Sequence, residues 1–323
     1  MHIIISRTDN IGDVVLTLPL VYALRSHFPN DTISFLGKEY TRAVADACPA
    51  INGFISYNQL CDMEPAKAAE HLQSLNADAI IFVFPEARVM KWAAKANIRI
   101  RIATAGRWHS WLYCNRRVRM SRKRSDLHEA QLNFKLLVPM GITNIPTLQN
   151  LSANIIIPTP APNAKVEEQL SAIPQRKRII LHALGVSGVD WPLDSFIQLG
   201  QLLSAKGYNV IFTGTESDGI VLRKRLPIAE KFYDVTGKFS LAELIQFMGQ
   251  CQGIVACSTG PLHIGAALGI TTIGLFSPRR PIYPGRWAPI GKDTHYLCAS
   301  ITHGKNLDIP VEEVYHIILR ALP

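Results

Sequence analysis

Residues 257–269, CSTGPLHIGAALG, lie between two short apolar runs, GIVA (253–256) and ITTIGLF (270–276). They read as the end of a strand, a tight polar turn, a helix and the approach to a second strand. Pro261 suits the first helical turn, where its missing N–H would have no partner in any case. Ser258, Thr259 and Gly260 then leave backbone N–H groups and two hydroxyls at the helix N-terminus, a geometry that accepts phosphate or another anion. A plain capped turn has the same local pattern. His263, on the apolar helix, reads equally as a packed residue or as part of the turn. Neither G-x-G-x-x-G nor G-x-x-x-x-G-K-[ST] occurs in the chain.

The same alternation extends in both directions. Apolar, β-branched runs at 2–6, 32–36, 79–84, 98–103, 178–183, 209–213, 253–257 and 271–276 predict strands. Helical patterns fall between them at 14–27, 67–75, 127–140, 195–206 and 241–249. Continuous apolar strands joined by helices predict parallel sheets covered on both faces, an α/β doubly wound fold. The alternation breaks at 155–177, where four prolines accompany a short polar helix pattern. Proline is excluded from helix interiors and central strands, so this stretch predicts a linker. The expected organisation is a Rossmann-like domain over 1–155, a linker over 156–176 and a second Rossmann-like domain over 177–310. An amphipathic helix over 311–323 was free, on sequence grounds, to pack back on the first domain. Two doubly wound sheets facing across a cleft bind ligands at the carboxyl ends of their strands.

Composition narrows the class. A 323-residue chain with 48% hydrophobic, 8% aromatic and 18% charged residues is globular rather than disordered. No apolar run approaches the ~20 residues that span a bilayer, and MHIIISRTDNIGD lacks the basic and apolar regions of a signal peptide. Six cysteines at 48, 61, 114, 251, 257 and 298 form no C-x-x-C pair, which predicts reduced thiols, no metal site and a cytoplasmic location. Net charge is +9 and the pI is about 9.3. Six of the nine residues from Arg116 to Arg124 are basic, which points to a patch that meets phosphates or carboxylates, with a solvated surface as the alternative. No recognition-helix or zinc-finger signature accompanies the patch, so nucleic acid is not the expected partner.

Three groups of residues are candidates for chemistry. SRTDNIGD (6–13) turns from the first strand into a helix, where Gly12 permits close approach or positive φ. Asp13 reads either as a helix-terminal acid or as a general base that takes a proton from an attacking hydroxyl. The turn at 258–260 is the second group. Loops at 182–192 (HALGVSGVDWP), 213–218 (TGTESD) and 236–240 (TGKFS) form the third, with glycines, hydroxyls and acids suited to ribose and phosphate.

Together these stretches resemble glycosyltransferase family 9, the heptosyltransferases of bacterial lipopolysaccharide core assembly. The likeness spans nearly the whole chain. It rests on SRTDNIGDVVLTLPLVYALR (6–25), DLHEAQLNFKLLVPMG (126–141), DWP (190–192), TGTESD, GKFSLAELI (237–245) and STGPLHIGAALGITTIGLFSP (258–278). The resemblance implies a two-domain GT-B fold and inverting, metal-independent transfer from a nucleotide diphosphate sugar, ADP-linked in typical members. The acceptor it implies is a lipid-linked core oligosaccharide. By position it makes Asp13 the catalytic base, with Asn10, Gly12, Arg116, Arg117, Arg119 and Arg122 on the acceptor side. On the donor side it places Ser187, Asp218, Lys238, Phe239, Ser258, Thr259, Gly260 and His263. The implied setting is the cytoplasmic face of the inner membrane, with peripheral contact to its anionic surface and no cofactor beyond the donor. Two positions depart from the family pattern. Val189 and Asp190 precede WP where a cation is usual, and Ser258 precedes TG where an acid is usual. Both departures leave the identity of the donor sugar open. An epimerase, a hydrolase or a non-catalytic binding relative of the same fold remain the alternatives.

Overall fold

The computed structural model describes residues 1–122, 124–154, 157–184, 189–300, 302–304 and 306–323. The chain divides into two compact units, Met1–Ile155 and Ile156–Pro323.

The first unit is built on β1 (His2–Ser6), β2 (Thr32–Gly37), β3 (Gly53–Ser56), β4 (Ala79–Phe82), β5 (Ile100–Thr104) and β6 (Arg116–Val118). They form one parallel sheet in the order β3-β2-β1-β4-β5-β6. Ile3, Ile4 and Ile5 are wholly buried because β1 is central, with helices on both faces. Ile4, Leu36, Ile80, Phe82, Val89, Trp92 and Ala103 belong to one core cluster of this unit. The helical run expected over 14–27 is two helices, Ile11–Val15 and Leu18–His27. Pro19 lies at the start of the second, where a residue without an N–H is tolerated. Thr17, between them, donates its hydroxyl to the Asp13 carbonyl at 2.8 Å.

The second unit repeats the plan with β7 (Arg178–His182), β8 (Asn209–Phe212), β9 (Phe232–Asp234), β10 (Gly253–Cys257), β11 (Thr271–Phe276) and β12 (Thr294–Cys298). The order is β12-β11-β10-β7-β8-β9, again parallel. Trp191 is buried at its heart, edge-on to Phe196, and its indole N–H donates to the Ile309 carbonyl at 2.9 Å. The closing helix, Val311–Ala321, packs on the helix Leu193–Ala205 and sinks Val311, Val314 and Ile318 into this core. Tyr208 adds a hydrogen bond to the Leu322 carbonyl just beyond the end of this helix. The proline-rich stretch is also tied to this unit. Ile157 donates to the Ala267 carbonyl, and a helix at Ala164–Ser171, capped by Asn163, bonds to Gln246 and Glu243.

Strand order reverses between β1 and β4 in one sheet and between β7 and β10 in the other. In open α/β sheets such reversals open a crevice at the carboxyl ends of the strands. The turn at 258–260 lies at the second of them. Its helix, Gly260–Leu268, sits tight on the sheet, since a Cβ at Gly265 would lie 2.6 Å from Ile254 Cγ2. The helix ends at Gly269, whose φ of +78° only glycine adopts at little cost. Gly265→Ala is expected to lift this helix from β10 and to lower unfolding stability by about 1–3 kcal/mol in denaturant titration.

Candidate active site

At the carboxyl end of β1 the chain places a guanidinium inside the protein. Arg7 is 3% exposed and meets three carboxylates: Asp9 (Nε to Oδ1, 2.7 Å), Glu129 (Nη1 to Oε1, 3.2 Å) and Asp13. Burial opposes its charge, but the three acids outweigh that and push its pKa up. Glu129, fully buried, also accepts from Arg122 Nε at 2.9 Å. Arg122 is thereby turned inward, bonding the Val83 carbonyl and Asn133 as well, rather than standing in the exposed basic cluster. Buried ions persist only when paired and hydrogen-bonded, and this network satisfies both arginines.

Asp13 is the third residue of the helix Ile11–Val15 and is 13% exposed. It is not the helix cap. Asn10 occupies that position, without a side-chain cap bond, and its Oδ1 accepts weakly from the Tyr40 hydroxyl at 3.4 Å. Gly12 is helical rather than at positive φ. Asp9 was not foreseen. Burial is the main cause that pushes its carboxyl up to about 6, with Arg7 opposing and Asp13 adding to the rise. The edge thus holds one acid clamped by arginine and a neighbour that titrates close to neutrality.

Of the remaining acceptor-side arginines, Arg116 and Arg117 lie on β6, the edge strand of the sheet, and Arg119 follows it; all three are exposed. Arg117 lies 4.5 Å above the Trp111 ring and bonds the Cys114 carbonyl.

In the second unit Thr259 is the N-cap of Gly260–Leu268 and makes no side-chain cap bond. Its Oγ1 is buried without a hydrogen-bond partner among the described residues. A buried hydroxyl left unbonded costs roughly 1–3 kcal/mol, a cost that a hydrogen-bonding ligand at this turn would relieve. Ser258 and Gly260 flank it, half-buried, and His263 is buried one turn in. The first-turn N–H groups of this helix have no intrahelical acceptors. An anion seated there would take those hydrogen bonds and the favourable end of the helix dipole.

Around this turn, His182 ends β7 and bonds the Thr213 hydroxyl through Nδ1 at 3.0 Å. Burial pushes its pKa down to about 4, with the Asp218 charge opposing, so the ring is neutral at physiological pH. Asp218 closes a capping box with Thr215, accepting from its N–H and hydroxyl at 2.7 Å each. Its Oδ2 thus holds the turn that opens this helix. Lys238, exposed, bonds Gln169, and Phe239 stacks against Phe247 at 4.8 Å. Ser187 lies outside the described residues. Arg279 and Arg280 follow β11, the neighbour of β10, on the same sheet edge, and sequence reading passed over them.

Among the described residues, no group of three or more His, Cys, Asp and Glu is arranged to hold a metal ion. Among the described residues, no helix is long and apolar enough to cross a membrane.

Two outcomes follow from these environments. Glu129→Ala leaves Arg7 and Arg122 short of a buried partner and is expected to cost about 3–5 kcal/mol in denaturant unfolding. His182 carries a depressed pKa, so its contribution to stability is present above pH ~6.5 and is lost as pH falls toward 4. In an NMR titration its ring signals should hold the neutral shift from pH 8 to about 5, whereas a midpoint near 6.5 would show a solvated ring.

The sequence profile of glycosyltransferase family 9 (heptosyltransferase) matches residues 69–314. Lipopolysaccharide heptosyltransferase 3 of Escherichia coli is 23% identical over 301 residues, covering 86% of this chain and 84% of its own. A glycosyl transferase family 9 structure from Veillonella parvula superposes with a TM-score of 0.81 at 20% identity, covering 99% of this chain and 97% of that one. The E. coli ADP-heptose LPS heptosyltransferase II structure gives 0.78 at 17% identity, covering 100% and 98%. Both likenesses identify the two six-stranded sheets as the GT-B fold. The chain belongs to glycosyltransferase family 9, the heptosyltransferases, and is a glycosyltransferase.

Proposed function

We propose that this enzyme transfers a heptose or a closely related sugar from an ADP-linked donor to a hydroxyl of a lipopolysaccharide core acceptor. Transfer proceeds with inversion, without a metal, at the cytoplasmic face of the inner membrane. The observation that carries this reading is the presence, in one family 9 chain, of a switch-point edge in each unit. One bears an accessible carboxylate, and the other bears a helix N-terminus beside an unbonded buried hydroxyl.

In this scheme the Asp13 carboxylate takes the proton of the acceptor hydroxyl. The oxygen attacks the anomeric carbon as the bond to the diphosphate breaks on the opposite face. The electron pair leaves with ADP. Its added negative charge falls on the N–H groups and hydroxyls of residues 258–260, which stabilise it without an ion. Arg7 fixes the direction of Asp13 through their ion pair, and Asp9 supplies a second carboxylate beside it. Neutral His182 keeps a positive charge out of the β7 edge while donating or accepting through its ring.

The test is transfer from ADP-L-glycero-D-manno-heptose to de-acylated core acceptor, with the product anomer assigned by NMR. Asp13→Ala is expected to lower kcat by ~10²–10⁴-fold while the protein remains folded. Equal rates would remove Asp13 as the base. Donor breakdown without acceptor would replace transfer by hydrolysis or epimerisation.

A further inference from the structure

We propose that the helix Trp108–Tyr113, with β6 beside it, is the surface by which this enzyme docks on an anionic phospholipid bilayer. The inference deepens the proposed function, resting on its reading of a lipid-linked acceptor, and assigns the membrane contact to particular residues.

The helix is arranged opposite to the usual rule. It buries Ser110 and Cys114 against the unit and leaves Trp108, Trp111 and Leu112 71%, 58% and 65% exposed. His109 anchors it by a ring-nitrogen contact to the Pro85 carbonyl at 2.9 Å. Soluble surfaces carry scattered apolar residues, but an exposed cluster of two indoles and a leucine on one short element marks an interaction site. Indoles favour the lipid–water boundary because an apolar ring and a polar N–H share one side chain. Here the Trp111 N–H is already satisfied by the Ala105 carbonyl at 3.0 Å, which fixes the ring with its apolar edge outward.

Charge selects the bilayer among possible occupants. Residues 105–124 contain no Asp or Glu, while Arg107, Arg116, Arg117 and Arg119 are all exposed around the indoles. The Arg117 guanidinium stacks 4.5 Å from the Trp111 ring, so cation and indole present a single face. Aromatic groups interleaved with uncompensated arginines complement anionic headgroups above an apolar layer. A second copy of this basic surface would repel itself.

The experiment is vesicle co-sedimentation of the full chain with phosphatidylglycerol/phosphatidylethanolamine vesicles and with phosphatidylcholine vesicles, at low and high salt. Trp108→Ser/Leu112→Ser is compared with wild type after thermal unfolding confirms that both are folded. Wild type is expected to bind the anionic vesicles, to bind phosphatidylcholine at least about tenfold more weakly, and to be released by salt, because each arginine near the surface contributes a factor of roughly five. The double variant should lose about tenfold or more of that partition yet transfer sugar to de-acylated acceptor at the wild-type rate. Equal vesicle binding by the variant, or none by wild type at low salt, overturns the docking surface. So does a loss of transfer to soluble acceptor, which would make the face a glycan site. A concentration-dependent dimer abolished by the variant, seen by analytical ultracentrifugation, would make it a subunit contact instead. Should wild type bind anionic vesicles but transfer no sugar, the proposed function fails while the docking surface stands.

Discussion

A guanidinium held inside the protein by three carboxylates sets the geometry of the first unit's edge. Arg7 leaves β1 pointing into the unit, and its charge survives there only because Asp9, Asp13 and Glu129 converge on it. The acids come from the turn, from the helix that follows and from a helix more than a hundred residues later. The ion network therefore joins the start of the unit to its end. It also fixes the direction of Asp13, which a free aspartate on a five-residue helix would not keep. Arg122 closes the same network through Glu129 and reaches back to the end of β4. The two strands that flank the switch point are thus tied by ionic contacts as well as by backbone pairing.

The second unit meets its constraint with backbone geometry instead of charge. Gly265 lets the helix Gly260–Leu268 rest directly on β10, and Gly269 ends that helix in a left-handed turn. The N-terminus of the helix is consequently held at the sheet edge, where its first N–H groups face outward. Thr259 keeps a buried hydroxyl unbonded at the same place. In the proposed metal-free transfer, such preorganised donors would receive the departing diphosphate. Departure of the pattern at Ser258 and at Val189 and Asp190 leaves this turn intact and alters what surrounds it.

The strands that carry the site were legible because central parallel strands are apolar throughout. β1, β7, β10 and β11 stand within a residue of the runs expected for them. The edge strands β3, β6, β9 and β12 were not, since a strand flanked on one side only has less apolar surface to bury. Arg116–Val118 shows the difficulty, being an edge strand written in basic residues. The single helix expected over 14–27 was broken by Pro19, a signal present in the sequence but overridden there by apolar periodicity. Asp13 and the 258–260 turn could be named from their position after strands. Arg7, Asp9 and His182 could not, because their roles come from burial and from partners distant in the chain.

The sequence by itself determined the doubly wound class, the two-part organisation, the strand-to-helix turn at 258–260 and the family. These follow from local properties: apolar periodicity, proline and glycine placement, and the spacing of short motifs. Only the tertiary structure decided which charges are committed and which are available. Arg122 belongs to a buried ion network and Asp218 to a helix cap. The closing helix belongs to the second unit, and the indoles of Trp108 and Trp111 face outward over buried Ser110 and Cys114. A side chain's charge is written in the sequence, but its solvation and its partners are set by residues brought together from far apart. Those two quantities decide whether it holds the fold or meets a substrate.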